Sequence, residues 1–223
     1  MKLIIIGTST TARILYLFIR KYRLYDVAGF AVNKSYITCD RYCDLPVYAI
    51  EDLEPSDYLW FIAVQWNRLN ADRRMLYENL KSKGFQFVNL ISPNSVINGE
   101  IKGQNCWIHD GVIVDFGSII GNNVFIKLNA TIAENTLIED HCFVGAKTMI
   151  AGECRVGEQS FIGIGSIVYD KVNIGKKCLI SACSVIKRNV PDYCKVLLSS
   201  DIEYKQYSSE EIEEKLIFSK NVR

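Results

Sequence analysis

The sequence predicts an α/β plus all-β protein, in which a small Rossmann-like domain with a parallel sheet is followed by a left-handed parallel β-helix. Two observations carry this prediction. Apolar runs alternate with helix-like segments over residues 1–91, and an Ile or Val recurs at every sixth position from Ile108 to Ile186. The alternation is typical of a parallel sheet, and a short fixed period is typical of a solenoid. We therefore expect a Rossmann-like domain at 1–91, a β-helix at 92–190 and a tail with a short helix at 191–223.

The Rossmann-like domain is predicted from its apolar runs. Residues 3–6 are uniformly apolar and end at Gly7, as in a strand that is buried on both faces of a sheet. The small hydroxyl residues that follow suit a turn and the start of a helix that runs to about residue 21. Further strands are expected over residues 27–32, 59–64 and 85–91, and a second helix over residues 70–83.

The turn after the first strand is the candidate ligand site of this domain. Ligands of open parallel sheets bind beyond the carboxyl ends of the strands, and the free N–H groups at a helix start favour a phosphate. Of a Gly-rich phosphate-binding fingerprint, the turn contains Gly7 alone. Two interpretations therefore stay open, namely a site for a nucleotide phosphate and an ordinary strand–helix turn in a structural domain.

The six-residue period predicts the interior of the β-helix. Fourteen Ile or Val residues keep the register without interruption. With three short strands per triangular coil, equivalent residues recur every eighteen positions and stack at about 4.8 Å from coil to coil. Four residues after each inward Ile or Val comes a second inward position, near a corner, where the residue is small or β-branched. Four cysteines fall on that position and are interpreted as core residues: Cys106, Cys142, Cys154 and Cys178.

Corner positions follow the same register. Three residues after successive inward positions come residue types that tolerate φ > 0, namely Gly111, Gly117, Asn123, Asn129 and Asn135. His141 is the next member of this series, so a corner role explains that histidine as well as a chemical role does.

One outward column of the β-helix is strongly apolar. Its members stand just before inward positions at eighteen-residue spacing: Trp107, Phe125, Phe143, Phe161 and Leu179. Because a large exposed apolar strip marks an interface, we expect the β-helix to associate through this face.

Composition bounds the partners and the compartment. The formal net charge is +1, so neither nucleic acid nor a membrane surface is an expected partner, and no apolar run is long enough for membrane insertion. The start of the chain lacks the features of a signal peptide, so we expect a cytoplasmic protein with its eight cysteines reduced. Cys39 and Cys43 have no matching second Cys or His pair, so no metal is expected.

Three runs resemble sequences of bacterial sugar acetyltransferases that join a Rossmann-like domain to a left-handed β-helix. They are Ser-Pro-Asn-Ser-Val at 92–96, Ala-Gly-Glu-Cys-Arg-Val-Gly at 151–157 and Phe-Ile-Gly-Ile-Gly-Ser at 161–166. The family includes bacillosamine and perosamine N-acetyltransferases and sialic acid O-acetyltransferases, and the resemblance covers about residues 1–190. It implies an acetyl-CoA donor as co-substrate, a nucleotide-linked amino sugar as acceptor, a homotrimer, and a role in lipopolysaccharide or capsule biosynthesis.

The resemblance also implies which residues bind the two substrates. Contacts with the nucleotide-linked sugar fall on Gly7, Thr8, Ser9, Thr10, Asn33 and Lys34. Contacts with acetyl-CoA fall on Gly145, Gly163 and Ser181, which stack at eighteen-residue spacing, and on Lys187 and Arg188, which are expected to meet the phosphates of the donor.

Several positions depart from the family pattern. The catalytic histidine of the family falls on Glu134 and the acidic residue after it on Asn135, while an asparagine seven residues earlier falls on Lys127. A second histidine that meets the donor falls on Phe143, and the acidic residue after the second strand falls near Asn33. The usual Gly-x-Pro-Ala loop is missing, and residues 208–219 suggest an added acidic helix.

These departures leave the base of the reaction open. Acyl transfer needs a deprotonated nucleophile and N–H donors that stabilise the carbonyl oxygen. A carboxylate such as Glu134 is a poor base for a hydroxyl but accepts a proton from an attacking ammonium, which favours N-acetylation. His141 is the second candidate, at a different corner of the β-helix, and catalysis without a side-chain base is the third. A sugar O-acetyltransferase and a non-catalytic sugar-nucleotide-binding homologue remain as alternatives.

Overall fold

The amino-terminal domain is a five-stranded sheet between two helices. The computed structural model describes residues 1–197. The strands are β1 (Lys2–Ile6), β2 (Val27–Val32), β3 (Arg41–Tyr42), β4 (Leu45–Ala49) and β5 (Tyr58–Ile62), in the order β3-β4-β2-β1-β5. All neighbours pair in parallel except β3 and β4. The helices are α1 (Thr10–Tyr22) and α2 (Ala71–Ser82), and short 3-10 turns cover Lys34–Tyr36, Ile50–Asp52 and Pro55–Asp57.

Burial explains why these segments form this sheet. The apolar residues of β1 are buried on both faces, as a central parallel strand requires. On one face they meet Leu15 and Ile19 of α1, and on the other they meet Tyr77 and Leu80 of α2. Helix α1 ends at Arg23, which adopts the left-handed conformation and donates its N–H to Arg20 and Ile19 carbonyls.

Two sequence predictions in this domain need correction. Strands β3 and β4 were not predicted, because Pro46 and the polar residues around it interrupt the apolar pattern. The strand predicted over residues 85–91 is wrong in extent, because only its last two residues form a strand. Phe87 makes an isolated bridge with Trp60, and the strand β6 (Leu90–Ile91) belongs to the β-helix.

The β-helix consists of three parallel ladders, which we call faces 1, 2 and 3. Face 1 contains β6, β9 (Trp107–Ile108), β12 (Phe125–Ile126), β15 (Phe143–Val144), β18 (Phe161–Ile162), β21 (Leu179–Ile180) and β23 (Lys195–Val196). Face 2 contains β7 (Val96–Ile97), β10 (Ile113–Val114), β13 (Thr131–Ile132), β16 (Met149–Ile150), β19 (Ile167–Val168) and β22 (Val185–Ile186). Face 3 contains β8 (Glu100–Ile101), β11 (Ile119–Ile120), β14 (Leu137–Ile138), β17 (Arg155–Val156) and β20 (Asn173–Ile174).

The interior of the β-helix follows the predicted register. Every inward Ile or Val from Ile108 to Ile186 is buried in one continuous core. The four predicted core cysteines lie in the same core, where burial raises the pKa of the Cys106 and Cys142 thiols to about 12. Thiols held protonated in this way are fillers rather than nucleophiles. The ladder continues to β23, within the predicted tail, whose acidic helix at 208–219 lies outside the described residues.

The corners also behave as predicted. Backbone φ is positive at all six predicted corner residues, from 52° at Asn135 to 73° at Gly117, and is 63° at His141. The corner between faces 3 and 1 is formed by the column of Asn105, Asn123, His141, Gln159 and Lys177. The residue type of His141 is therefore compatible with its backbone conformation, whatever its chemistry.

The predicted association face turns out to be an internal interface. Trp107, Phe125 and Phe143 of face 1 are buried in the same cluster as Leu15 and Phe18 of α1. The Phe61 ring stacks on Phe125 with ring centroids 5.9 Å apart, and Trp66 packs against Phe143 and Phe161. The β-helix therefore associates through this face as predicted, and its partner there is the amino-terminal domain of the same chain.

Face 2 carries the apolar column that stays exposed. Its outward residues are Val96, Ile113, Thr131, Met149, Ile167 and Val185, and the five apolar ones are between 38% and 51% exposed. Leu128 and Phe116, at the two edges of this face, are also exposed. Among residues 1–197, no segment covers this column in the way that α1 and β5 cover face 1.

Candidate functional site

A cleft opens at the carboxyl ends of β1, β2 and β5, where the sequence predicted a ligand site. Two adjoining cavities of about 480 Å³ and 410 Å³ share Gly7, Val64 and Asn67 in their walls. The predicted contacts Ser9 and Thr10 line the smaller cavity, and Asn33 lines the larger one. Thr8 follows Gly7 in the same turn, so this turn brings four of the predicted residues to one edge of the sheet.

The turn between β1 and α1 leaves helix N–H groups available to the cleft. Gly7 has a φ of 119°, which a residue with a Cβ rarely adopts. Ser9 is the N-cap residue, but its side chain makes no capping hydrogen bond. Because the first N–H groups of a helix lack partners within the helix, this end of α1 can donate to an anion.

A carboxylate that sequence reasoning missed lies beside Asn33 and Lys34. Glu51 Oε1 accepts a hydrogen bond from Asn33 Nδ2 at 3.1 Å, and its Oε2 accepts one from the Lys34 N–H at 3.0 Å. Backbone and side-chain hydrogen bonds lower the pKa of the Glu51 carboxyl. An acidic group therefore stands at the end of β2 although the family's position there is Asn33. Prediction of β4 would have revealed it, since Glu51 follows that strand at the same sheet edge.

Glu134 lies on the corner between faces 2 and 3 and is exposed. Its carboxylate rests over Gly152 of the next coil: a Cβ added to Gly152 would come within 2.6 Å of Glu134 Oε1. The glycine therefore leaves the space that this carboxylate occupies. Asp170, one coil further along the same column, accepts a hydrogen bond from the Gly152 N–H at 3.0 Å.

His141 lies in the interface between the two domains. Its side chain is about 5% exposed, and burial lowers its pKa to about 4. Nδ1 is 2.9 Å from Asn123 Nδ2, and Nε2 is 3.7 Å from Glu78 Oε1 on α2. The structure thus places His141 and Glu134 at different corners, as the register predicted, and does not bring them together within one chain.

A chain of amides fixes the tautomer of His141. The Ile62 N–H donates to Asn105 Oδ1 at 2.8 Å, and Asn105 Nδ2 donates to Asn123 Oδ1 at 2.7 Å. Asn123 Nδ2 is therefore the donor to His141 Nδ1. The lone pair of the neutral imidazole is used in this bond, which leaves no free acceptor nitrogen for a substrate proton.

The predicted donor-binding column lies at the end of face 1. Gly145 and Gly163 follow β15 and β18, and Ser181 follows β21. A Cβ at Gly145 would lie 2.5 Å from the Ile164 nitrogen, and one at Gly163 would lie 2.4 Å from the Ala182 nitrogen. Close contact between coils thus requires both glycines, which are buried and form a strip of the column without side chains.

Lys187 and Arg188 lie at the carboxyl end of the β-helix. Both are exposed and line a cavity of about 420 Å³ with Pro191 and Lys195. Lys187 also lies over the Tyr169 ring. The pair is one coil beyond Tyr169, at the corner between faces 2 and 3 that also carries Glu134. Within one chain the structure therefore does not bring it to the corner of Gly145, Gly163 and Ser181, which lies between faces 1 and 2.

A lysine–histidine pair occupies the two earlier positions of the same column. Lys127 Nζ is 2.8 Å from His109 Nε2 and 4.0 Å from the centre of the Trp107 ring. Burial lowers the pKa of Lys127 to about 8, with a smaller effect from Arg73, and burial lowers that of His109 to about 3. Sequence reasoning named Lys127 as a departure from the family pattern but did not recognise that eighteen-residue spacing makes it a neighbour of His109.

One group of three side chains has the spacing of a metal site. Ligand atoms of Glu78, His141 and Glu158 lie within 4.8 Å of one another. Arg74 pairs with Glu78 at 3.5 Å and with Glu158 at 3.9 Å. One internal guanidinium therefore already pairs with both carboxylates.

The comparisons with known proteins agree with this architecture. The family described as the hexapeptide repeat of succinyl-transferase matches residues 154–188. PerB from Caulobacter crescentus, solved with CoA and GDP-perosamine, is 25% identical, with a TM-score of 0.77 over 92% of this chain and 98% of that one. The acetyltransferase domain of PglB from Neisseria gonorrhoeae FA1090 is 22% identical, with a TM-score of 0.77 over 87% and 95%.

A third structure has the same fold. WeeI from Acinetobacter baumannii AYE is 19% identical, with a TM-score of 0.75 over 88% of this chain and 96% of that one. A comparison with curated protein sequences finds no match. Neither α1 nor α2, the helices of residues 1–197, has the length and apolarity to cross a bilayer. Together the repeat and the structural matches confirm the predicted fold class and the resemblance drawn from the sequence.

Proposed function

We propose that this chain, which has the hexapeptide repeat and the fold of the bacterial sugar acyltransferases, is an acetyl-CoA-dependent N-acetyltransferase acting on an amino group of a nucleotide-linked sugar. The observation that carries the proposal is that the domain with a cleft suited to a phosphate packs against face 1 of a β-helix. Face 1 ends in the strip without side chains at Gly145 and Gly163. The same two-domain arrangement in PerB was solved with CoA and GDP-perosamine.

The acceptor is assigned to the cleft of the amino-terminal domain. Its phosphates would receive hydrogen bonds from the α1 start, at Gly7, Thr8, Ser9 and Thr10, since that helix end has no side-chain cap. Asn33 and Lys34 would contact the rest of the nucleotide, with Glu51 available to accept hydrogen bonds from hydroxyl groups.

The donor is assigned to the column of Gly145, Gly163 and Ser181. The missing side chains of the two glycines would leave room for the extended part of acetyl-CoA, and the positive charges of Lys187 and Arg188 of a neighbouring copy would bind its phosphates. No metal is needed in this scheme, because the amine of the acceptor is itself a sufficient nucleophile once it is neutral.

Glu134 is the better of the two predicted catalytic candidates. It is exposed above Gly152 and free to meet an acceptor ammonium, whereas the acceptor nitrogen of His141 is engaged by Asn123. We therefore assign Glu134 to the binding of the attacking amino group. His141 takes a positioning role in the domain interface.

A homotrimer would bury the exposed column of face 2. Its five apolar side chains and Thr131 form one column along six coils, with Phe116 and Leu128 at the edges. Three prisms that direct this face toward a common axis cover it and leave the cleft of each amino-terminal domain open. The formal net charge of +1 gives no reason to assign nucleic acid as a partner. Because acetyl-CoA and a nucleotide sugar would be its substrates, we assign the protein to surface glycan biosynthesis in the cytoplasm.

Release of CoA from acetyl-CoA tests the proposal. The protein is mixed with GDP-, UDP- or dTDP-linked amino sugars and with the matching hydroxyl sugars. We expect CoA release with at least one amino sugar, reduced about 100-fold in Glu134→Gln, because a positioned acid–base or binding group contributes at least that much. The matched control Glu153→Gln, an exposed corner residue that pairs with Lys171, keeps the activity.

The remaining outcomes separate the alternatives. Release with hydroxyl acceptors alone would make the protein an O-acetyltransferase. Failure of acetyl-CoA to bind in calorimetry would rule out both enzymes and leave a non-catalytic sugar-nucleotide-binding protein.

A further inference from the structure

We propose that Lys127, held by His109 and Trp107 at the head of the donor-binding column, is the proton acceptor of acetyl transfer. The inference rests on the proposed function for its substrates, but its evidence is a different set of contacts. At this position the resembled family has an asparagine, so the role belongs to this chain and not to the family pattern.

The fold places Lys127 directly before the bare strip of the column. Lys127 follows β12 and donates its backbone N–H to Val144 at 2.9 Å, which puts it one coil before Gly145. Beyond Lys127, the next two positions of the column lack side chains. The Lys127 amine is therefore the first side-chain functional group next to the strip to which the donor is assigned.

The surroundings of the amine hold it in place without neutralising its charge. His109, one coil earlier, accepts a hydrogen bond from Nζ at 2.8 Å, and the Trp107 ring lies below Nζ at 4.0 Å. His109 is itself fixed, since it lies between the Trp107 and Phe18 rings. Within residues 1–197, no carboxylate forms an ion pair with Lys127.

Charged groups on the packed elements act on this amine directly or through His109. From α2, the buried Arg73 guanidinium lies over Phe125 and disfavours a second positive charge. Asp110 acts on His109, and its carboxylate is engaged by Tyr22 and Lys21 of α1 and by Ser92. The Trp107 ring favours the ammonium form. Burial outweighs it and brings the pKa of Lys127 to about 8, so an appreciable fraction carries a free lone pair near neutral pH.

The chemical step balances with this assignment. The neutral amine of the acceptor sugar attacks the thioester carbonyl, and a nitrogen–carbon bond forms. The proton released from that nitrogen passes to Lys127 Nζ. The carbon–sulfur bond then breaks, the sulfur leaves with the electron pair, and the CoA thiolate takes the proton back from Lys127. No oxidant, reductant or metal enters the step.

Lys127 and Glu134 divide the work between two edges of face 2. Within one chain the strand β13 separates them. Lys127 lies at the edge that face 2 shares with face 1, and Glu134 lies at the edge that face 2 shares with face 3. In a trimer with face 2 toward the axis, the first edge of one copy meets the second edge of the next. The acceptor amine would then lie between Glu134 of one copy and Lys127 of its neighbour.

Competitive labelling of the full chain with acetic anhydride tests Lys127 without relying on activity. The extent of labelling at each lysine is measured by mass spectrometry from pH 6 to 10, with and without acetyl-CoA, and Lys83, exposed at the end of α2, is the internal reference. We expect labelling of Lys127 to rise with a midpoint near pH 8, well below the pKa of about 10.4 of an unperturbed lysine. Saturating acetyl-CoA should protect Lys127 and leave Lys83 unchanged.

Variants then connect this amine to catalysis. Lys127→Met should lower kcat by about 100-fold and remove the rise of the rate between pH 7 and 9. Lys127→Arg should not restore the rate, because a guanidinium stays protonated. Lys83→Met should keep the wild-type profile. Melting curves of each variant show that the fold is intact.

The outcomes separate this inference from the proposed function. A labelling midpoint for Lys127 equal to that of Lys83, or a Lys127→Met enzyme with an unchanged pH profile, would overturn the role of Lys127 even if the protein acetylates sugars. A low midpoint without protection by acetyl-CoA would remove Lys127 from the donor groove. Failure of the unmodified protein to acetylate any acceptor would overturn the proposed function, while the labelling result would still stand.

Discussion

Two outward columns of the same β-helix have opposite fates. On face 1, Trp107, Phe125 and Phe143 are covered by α1, β5 and the Trp66 segment of the same chain. On face 2, Ile113, Met149 and their equivalents remain about two-fifths exposed among the described residues. The residues of both columns recur in the sequence with the same eighteen-residue spacing.

The difference shows that the repeat determines which side chains point outward but not what covers them. A period of six fixes which side chains leave the coil, since that depends on local backbone geometry alone. What covers them depends on contacts between residues far apart in the chain, such as Phe61 with Phe125. The larger aromatic side chains go with the intramolecular interface, and the smaller aliphatic ones with the exposed face.

The largest expected effect comes from breaking the covered column. Phe125→Ala removes a fully buried ring that stacks on Phe61 and lies beneath the Arg73 guanidinium. We expect the free energy of unfolding to fall by about 3–5 kcal/mol, as for other buried phenylalanines. Phe116→Ala, at the edge of face 2 and 68% exposed, is the matched control and should change it by less than about 0.5 kcal/mol in the isolated chain. Equal effects in urea titrations would contradict the contrast between the faces.

The second-largest effect is expected from acidification, which should weaken the interface between face 1 and the amino-terminal domain. His141 is buried beside α2 with a folded pKa of about 4, below the ordinary 6.5 of an unfolded histidine. Because the unfolded chain binds the proton more tightly, His141 stabilises the fold above pH 6.5 and this stabilisation is lost as pH falls toward 4. The loss amounts to about 3 kcal/mol. His109 acts in the same direction, since its pKa is also lowered.

The variant His141→Asn should flatten this pH dependence. Asparagine tolerates the positive φ of 63° at this corner, so the backbone need not change. The comparison is the free energy of unfolding at pH 7 and pH 4.5 for both proteins. An unchanged difference between the two pH values would show that His141 is not buried as described.

A smaller effect is expected where the coils approach each other beside face 1. In Gly163→Ala the new Cβ would meet the Ala182 backbone nitrogen at 2.4 Å, and we expect a loss of about 2 kcal/mol. Gly165→Ala is the control at the neighbouring corner, where the Cβ meets the Cys183 sulfur alone, at 3.5 Å, and the cost arises from a φ of 68°. About 1 kcal/mol is expected there. Thermal unfolding of both variants measures the order, and the reverse order would contradict the tight coil contact.

Prediction from the sequence succeeded where structure is local. The register from Ile108 to Ile186, the corner residues and the core cysteines all follow from one period, and the structure confirms them. The eighteen-residue spacing also predicts the contact of Lys127 with His109, but only when residues are compared between successive coils and not within one coil.

Prediction failed where structure depends on distant contacts. Strand β4 has Pro46 in it and is partly buried, so its short apolar pattern was not distinctive, and Glu51 at its end was missed with it. The segment before β6 is apolar enough for a full strand, but Asn89 bonds to the Gly103 and Cys106 backbone of the β-helix and turns the chain into the first coil. The cover over Phe125 was invisible for the same reason.

A substitution on face 2 should change the stability of one chain least and the assembly of the protein most. Ile167→Lys replaces an exposed side chain at the middle of face 2 and should cost the isolated fold less than about 0.5 kcal/mol. Sedimentation equilibrium of the unmodified protein should give three times the 25.4 kDa mass of one chain, and Ile167→Lys should give a single chain with unchanged circular dichroism. A monomeric unmodified protein, or a trimer that Ile167→Lys leaves intact, would contradict the assignment of face 2 to self-association.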